Sequence, residues 1–204
     1  MNQVHDKPWD ARLAWRLVYP WRDSSLTPNH LTSVRLLCGI AACAFLSMGG
    51  YLWTNIGALC FCLSNFLDHT DGELARMTGK MSHFGHVYDL LSDAVVNILL
   101  FVGIGIGLMQ SELGMAVLPL GGLAGVAVAA IFHMRNAIEE KVGKEEARQP
   151  NAGGIEAEDI LYLLPLITLT EQLIPFLMLA AIGAPLYAAW VLRGYLELKI
   201  GGNR

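Results

Sequence analysis

Asp68, Asp71, Asp89 and Asp93 stand three, eighteen and four residues apart in DHTDGELARMTGKMSHFGHVYDLLSD, a polar stretch in an otherwise strongly apolar chain. Residues three and four apart are neighbours on a helix surface, so Asp68 shares a face with Asp71 and Asp89 with Asp93. A turn around Thr78, Gly79 and Lys80 would join the two helices antiparallel and let those faces meet. A carboxylate at the centre of a bilayer costs about 2.5 kcal/mol or more, so four of them require compensating positive charge. Converging carboxylates form a hard oxygen site suited to Mg²⁺ or Mn²⁺, and no soft ligand is present to select zinc. Two such ions can bridge a pyrophosphate and stabilise a leaving phosphate, which points to phosphoanhydride chemistry.

Two glycines and an arginine supply further parts. Gly72 directly follows Asp71, and Gly85 lies four residues before Asp89. A glycine within a helix costs about 1 kcal/mol relative to alanine, so both have a reason to be there. Either a bulky substrate approaches the helices there or, for Gly85 in particular, two helices pack closely. Arg76 can clamp a phosphate oxygen.

The elements that must hold these residues are membrane helices. The chain has 204 residues, 54% hydrophobic and 16% charged, with mean hydropathy +0.44, too apolar for a soluble domain of this size. Apolar segments at 31–48, 51–66, 84–109, 113–132, 160–170 and 173–192 predict an all-α integral membrane protein with six transmembrane helices. The second reaches full length only by continuing through Arg76, which puts Asp68 and Asp71 at the membrane's edge. Ahead of the spans, Trp9, Leu13, Ala14, Leu17 and Val18 recur at helical spacing with Asp10, Arg12 and Arg16 on other faces, an amphipathic interfacial helix. The expected organisation is one membrane domain over 1–204, with an N-terminal cytoplasmic and interfacial segment at 1–30 and the six-helix part at 31–200.

Charge sets the orientation. All 14 Lys and Arg residues lie before the first span, at Arg35 just inside it, or in the connections and tail on that same side, and none lies in the short turns 49–50, 110–112 and 171–172. By the positive-inside rule both termini and the aspartates face the cytoplasm. The 18 acidic residues exceed the 14 basic ones by the number of these aspartates, so the net charge of −4 equals one site. Nothing resembles the basic stripe of a nucleic-acid-binding protein. Cys38, Cys43, Cys60 and Cys62 lie in apolar runs and read as small hydrophobes, and the polar first 25 residues show no cleavable signal peptide.

The pattern DxxDGxxAR, eight residues, then GxxxDxxxD resembles the signature of the CDP-alcohol phosphotransferase family. The chain fills it with Asp68, Asp71, Gly72, Ala75, Arg76, Gly85, Asp89 and Asp93, and the likeness extends to Leu26-Thr27-Pro28-Asn29, Thr32 and Arg35. The resemblance implies a transferase of phospholipid biosynthesis that moves a substituted phosphate from a CDP-linked donor to an acceptor alcohol and releases CMP. Its implied cofactors are two divalent cations, Mg²⁺ or Mn²⁺, held by Asp68, Asp71 and Asp89 with a contribution from Asp93, which also matches the general base. Gly72 and Arg76 match donor contacts, with Ser82, Gly85, Thr32 and Arg35 as further donor-side candidates. His69, His83 and His86 fall at variable positions of the signature and read as polar filler or interface contacts, and Glu73 as a solvated or headgroup-facing residue.

The implied location is an integral protein of a bacterial inner membrane, with CDP-diacylglycerol as donor. Rival readings are a headgroup transferase using CDP-choline or CDP-ethanolamine with a lipid acceptor and, outside enzymes, a divalent-cation carrier or sensor. Arg135 and Arg193, ending the fourth and sixth spans, are the candidates to hold an acceptor phosphate. The acidic run 156–159 argues against that and suits a cationic or zwitterionic acceptor, or simply a solvated helix start. Glu139 to Glu146 reads as a solvated extension of the fourth helix, and Gly103, Gly105, Gly107 and Gly121-Gly122 as sites of close helix packing, within the chain or between two subunits of a homodimer.

Overall fold

A computed structural model describes residues 9–143 and 159–201, and among these every regular element is helical. The principal helices are α1 (Trp9–Val18), α2 (Pro28–Met48), α3 (Tyr51–Thr78), α4 (His83–Gly107), α5 (Val117–Val142), α6 (Leu164–Leu169) and α7 (Leu173–Gly201). Pro28 occupies the first turn of α2, where its missing N–H costs nothing, and Thr27 precedes it in extended conformation with its backbone N–H donating to His30 Nδ1. Gly49 and Gly50, both at positive φ, reverse the chain into α3, and Gly79 in the left-handed region ends α3. Ser82 begins α4, its Oγ accepting from Gly85 N at 3.0 Å.

Four segments are long and apolar enough to cross a membrane: Pro28–Met48, His83–Gly107, Gly114–Val142 and Leu173–Glu197. At 28 residues α3 has the length, about 42 Å at the helical rise, but its last turns carry the acidic motif. The expected fifth span differs most. Its apolar helix covers only Ile160–Leu169, about 15 Å and half of a hydrocarbon core, because the chain runs as a 3₁₀ turn up to Leu163 and Pro165 permits regular helix only from there.

α2 packs between α3 and α4; α5 packs on the other side of α4, α7 on α5, and α6 and α1 on α3. The shared core includes Ala42, Leu46, Phe61, Leu100, Phe101, Ile104, Leu164 and Leu177, and Phe101 of α4 stacks on Phe176 of α7 at 5.9 Å. Helix approach depends on missing side chains. A Cβ on Gly103 would meet the Cys43 carbonyl at 2.9 Å, one on Gly105 the Val117 carbonyl at 2.9 Å, and one on Gly107 or Gly121 the carbonyl of Leu46 or Phe101, whereas Gly122 faces open space. Outward faces carry Leu37, Leu52, Leu59, Leu91, Leu123, Leu179 and Leu186, apolar surface of a kind that water would penalise and lipid accepts. On α1, Ala14 and Val18 are buried while Leu13, Leu17, Arg12 and Arg16 are exposed.

Candidate active site

The turn 79–82 reverses the chain from α3 into α4, and both helices pack against α2. This arrangement brings carboxylate oxygens of Asp68, Asp71 and Asp89 within 4.8 Å of one another. Three carboxylates offer the oxygen donors that a small hard cation such as Mg²⁺ takes, so the donor set fits such an ion in its chemistry. Asp93, one turn beyond Asp89, lies outside this trio and bonds to Arg35 Nη2.

Arg35 is central to the geometry. Its side chain is 2% exposed, while those of Asp68, Asp89 and Asp93 are 32%, 36% and 26% exposed, so the guanidinium forms the floor of the site and the carboxylates open outward. Nη1 donates to Asp68 and, at 2.7 Å, to Asp89 Oδ1, and Nη2 donates to Asp93. Ser64 Oγ donates to the Arg35 carbonyl at 2.9 Å and fixes that turn of α2 against α3. The buried Asp71 is held instead by Thr32, one turn before Arg35, whose Oγ1 donates to Asp71 Oδ2 at 2.7 Å. One guanidinium against four carboxylates leaves excess negative charge that bound divalent cations would neutralise.

The remaining sequence candidates separate by environment. A Cβ on Gly72 would meet only the Arg76 guanidinium, at 3.4 Å, so Gly72 is not needed for helix packing and leaves its face open beside that charge. A Cβ on Gly85 would stand 3.0 Å from Asn29 Oδ1 and 3.1 Å from Ser82 Oγ, so Gly85 lets the start of α2 close on the start of α4. Arg76 is 60% exposed and donates to Glu73 Oε1 at 2.9 Å. Glu73 corrects an expectation: its side chain is 3% exposed, neither solvated nor facing headgroups, because it lies on the inward side of α3 with Thr70, Asp71 and Leu74 and is bonded to Arg76. His69 contacts the Asn65 carbonyl at 3.1 Å, His83 is exposed, and His86 pairs with Glu140 of α5 at 2.9 Å. Arg135 is partly buried near the end of α5; Arg193 is exposed on α7 and pairs with Glu197 at 3.0 Å. The acidic run 156–159 falls at the edge of the described residues, and nothing of its side chains is described.

Thr32 and Arg35, candidates for the donor side by resemblance, both bond to aspartates of the cluster. A signal for this was present, because a lone arginine inside an apolar span must find an acidic partner, and Thr32 lies one turn from it on the same face.

The sequence profile of CDP-alcohol phosphatidyltransferases matches residues 25–194, a stretch that contains α2 to α6, most of α7 and every residue of the carboxylate site. The chain belongs to this family. Its long apolar helices make it an integral membrane protein of that family. Over 83 residues it is 37% identical to the archaetidylinositol phosphate synthase of Pyrococcus horikoshii, a match covering 40% of this chain and 42% of that protein. Among the family's shared properties is a general dependence on divalent metal, in keeping with the donor set of Asp68, Asp71 and Asp89.

Proposed function

We propose that the protein transfers a phosphatidyl group from CDP-diacylglycerol to the hydroxyl of a small alcohol, releasing CMP, in a site of two divalent cations. The observation that carries this reading is the convergence of Asp68, Asp71 and Asp89 within 4.8 Å in a chain of this family. Bound Mg²⁺ or Mn²⁺ would supply charge neutralisation at the pyrophosphate and stabilise the leaving CMP. Asp68, Asp71 and Asp89 are the proposed ligands, with Asp93 contributing. Asp93 is also the proposed base, taking the proton from the acceptor hydroxyl as that oxygen attacks the donor's β-phosphate. Gly72 and Arg76 are proposed to receive the cytidine diphosphate: the glycine leaves room and the exposed guanidinium offers paired donors to phosphate oxygens.

The proposed setting is one membrane domain with six crossings, in which α3 brings its acidic end to the interface and the short 160–169 segment forms part of the fifth. The exposed Leu13 and Leu17 of α1, beside Arg12 and Arg16, support an interfacial position for that helix. The one-sided distribution of Lys and Arg supports a cytoplasmic site and cytoplasmic termini in a bacterial inner membrane.

Two acceptor classes compete. The name of the Pyrococcus horikoshii relative favours a phosphorylated acceptor, held by Arg135 and Arg193. The acidic run 156–159 favours serine or another amino alcohol. Purified protein with Mg²⁺ should release CMP from CDP-diacylglycerol with one member of a panel of serine, glycerol 3-phosphate, inositol 1-phosphate, inositol and choline. Release only from CDP-choline or CDP-ethanolamine with a lipid acceptor would reverse the donor assignment.

A further inference from the structure

Arg35 touches three carboxylates at once, and two of them belong to the proposed cation-binding trio. A guanidinium does not lose its proton in a protein, so this is a permanent buried cation. Its Nη1 occupies Oδ1 of both Asp68 and Asp89, while Asp71 is left to the neutral Thr32 hydroxyl. Without such a charge, four carboxylates from α3 and α4 would repel one another beside α2, which packs against both of those helices.

We propose that Arg35 is a resident counter-ion that holds Asp68, Asp89 and Asp93 together when no divalent cation is bound, and that it competes with the cations for Asp68 and Asp89. The inference rests on the metal-binding reading of the trio. Loading the site then exchanges bonds to Nη1 for bonds to the ions, and Arg35 keeps its bond to Asp93 beneath the reaction site. Arg35 is on this view a positioning residue, and donor contact is not its principal role.

The test is thermal unfolding of the purified full chain in detergent, in EDTA and across a Mn²⁺ titration, with Mn²⁺ binding followed by electron paramagnetic resonance. In EDTA, Arg35→Gln is expected to unfold about 6 °C or more below wild type, since it strands buried charges. Saturating Mn²⁺ should recover most of that loss, and half-saturation should fall about threefold or more because a like charge has been removed from the site. Arg35→Lys should keep part of the EDTA stability, and Arg35→Gln combined with Asp68→Asn should regain it by rebalancing charge. If Arg35→Gln does not accumulate as folded protein, recovery by the added Asp68→Asn supports the inference and failure to recover overturns it. It is also overturned if the stability loss is the same with and without Mn²⁺, if Lys is no better than Gln, or if only the donor KM changes. A wild type that binds no Mn²⁺ would remove the metal reading separately, leaving the EDTA comparison of the single and double variants to decide the role of Arg35.

Discussion

Thr32 Oγ1 donates a 2.7 Å hydrogen bond to Asp71 Oδ2, tying the start of α2 to the end of α3. This bond aims the most buried of the three clustered carboxylates, whose fellows Asp68 and Asp89 are held by Arg35. A carboxylate freed to rotate loses affinity for the ion it binds. Thr32→Val, which keeps the shape and removes the donor, is expected to weaken Mn²⁺ binding about tenfold, and Thr32→Ser to retain it. A Mn²⁺ titration of the two variants checks this, and equal affinities would show that the hydroxyl does not orient Asp71.

Glu73 reaches Arg76 from a buried position at 2.9 Å, so it fixes the direction of an exposed guanidinium. Removing its charge should loosen Arg76 without touching the acceptor. Glu73→Gln is expected to raise the donor KM about threefold to tenfold, the scale of one ordinary hydrogen bond, with the acceptor KM unchanged. Steady-state kinetics with each substrate varied in turn distinguish this from a general loss of structure.

Gly72 and Gly85 look equivalent in the motif but meet different surroundings. A methyl on Gly85 would press on Asn29 and on the Ser82 cap, whereas one on Gly72 would only touch the Arg76 guanidinium at ordinary distance. Gly85→Ala is therefore expected to lower the melting temperature by about 2–4 °C, the equivalent of about 1 kcal/mol in a chain of this size. Gly72→Ala should leave the melting temperature unchanged or slightly higher, because alanine favours helix, yet raise the donor KM. Thermal unfolding beside kinetics reads both.

Much of this site could be read from spacing alone. Asp68 with Asp71 and Asp89 with Asp93 fall on helix faces by simple periodicity, the glycine turn makes the helices antiparallel, and the clustering of three carboxylates follows. The ends of α2 and α3 were legible for the same reason: Pro28, the Gly49-Gly50 pair and Gly79 are local signals. What periodicity does not convey is which helix lies across which. The burial of Glu73, the bond from Thr32 to Asp71 and the three-way contact of Arg35 arise where α3 meets its neighbours, from residues 33 or more positions apart in the latter two cases. The 160–169 region reads as a span by composition, but Pro165 and the 3₁₀ turn before it leave only a short helix.

Chelation provides a test of the hard-donor assignment. EDTA should abolish CMP release, and Mg²⁺ or Mn²⁺ should restore it; an oxygen-only carboxylate set gives Zn²⁺ no soft ligand to favour it. Activity unaffected by exhaustive chelation would contradict a metal-dependent reaction.

Binding of Mn²⁺ and of CDP to wild type, Asp68→Asn and Asp93→Asn, measured beside CMP release, bears most directly on the division of labour among the aspartates. Asp68→Asn is expected to lose Mn²⁺ affinity and turnover together, because it removes one of the three clustered carboxylates. Asp93→Asn should abolish turnover while retaining much of the Mn²⁺-dependent CDP binding, as befits a base outside the trio. Equal Mn²⁺ affinity in wild type and Asp68→Asn, or undiminished CMP release by Asp93→Asn, would contradict these roles.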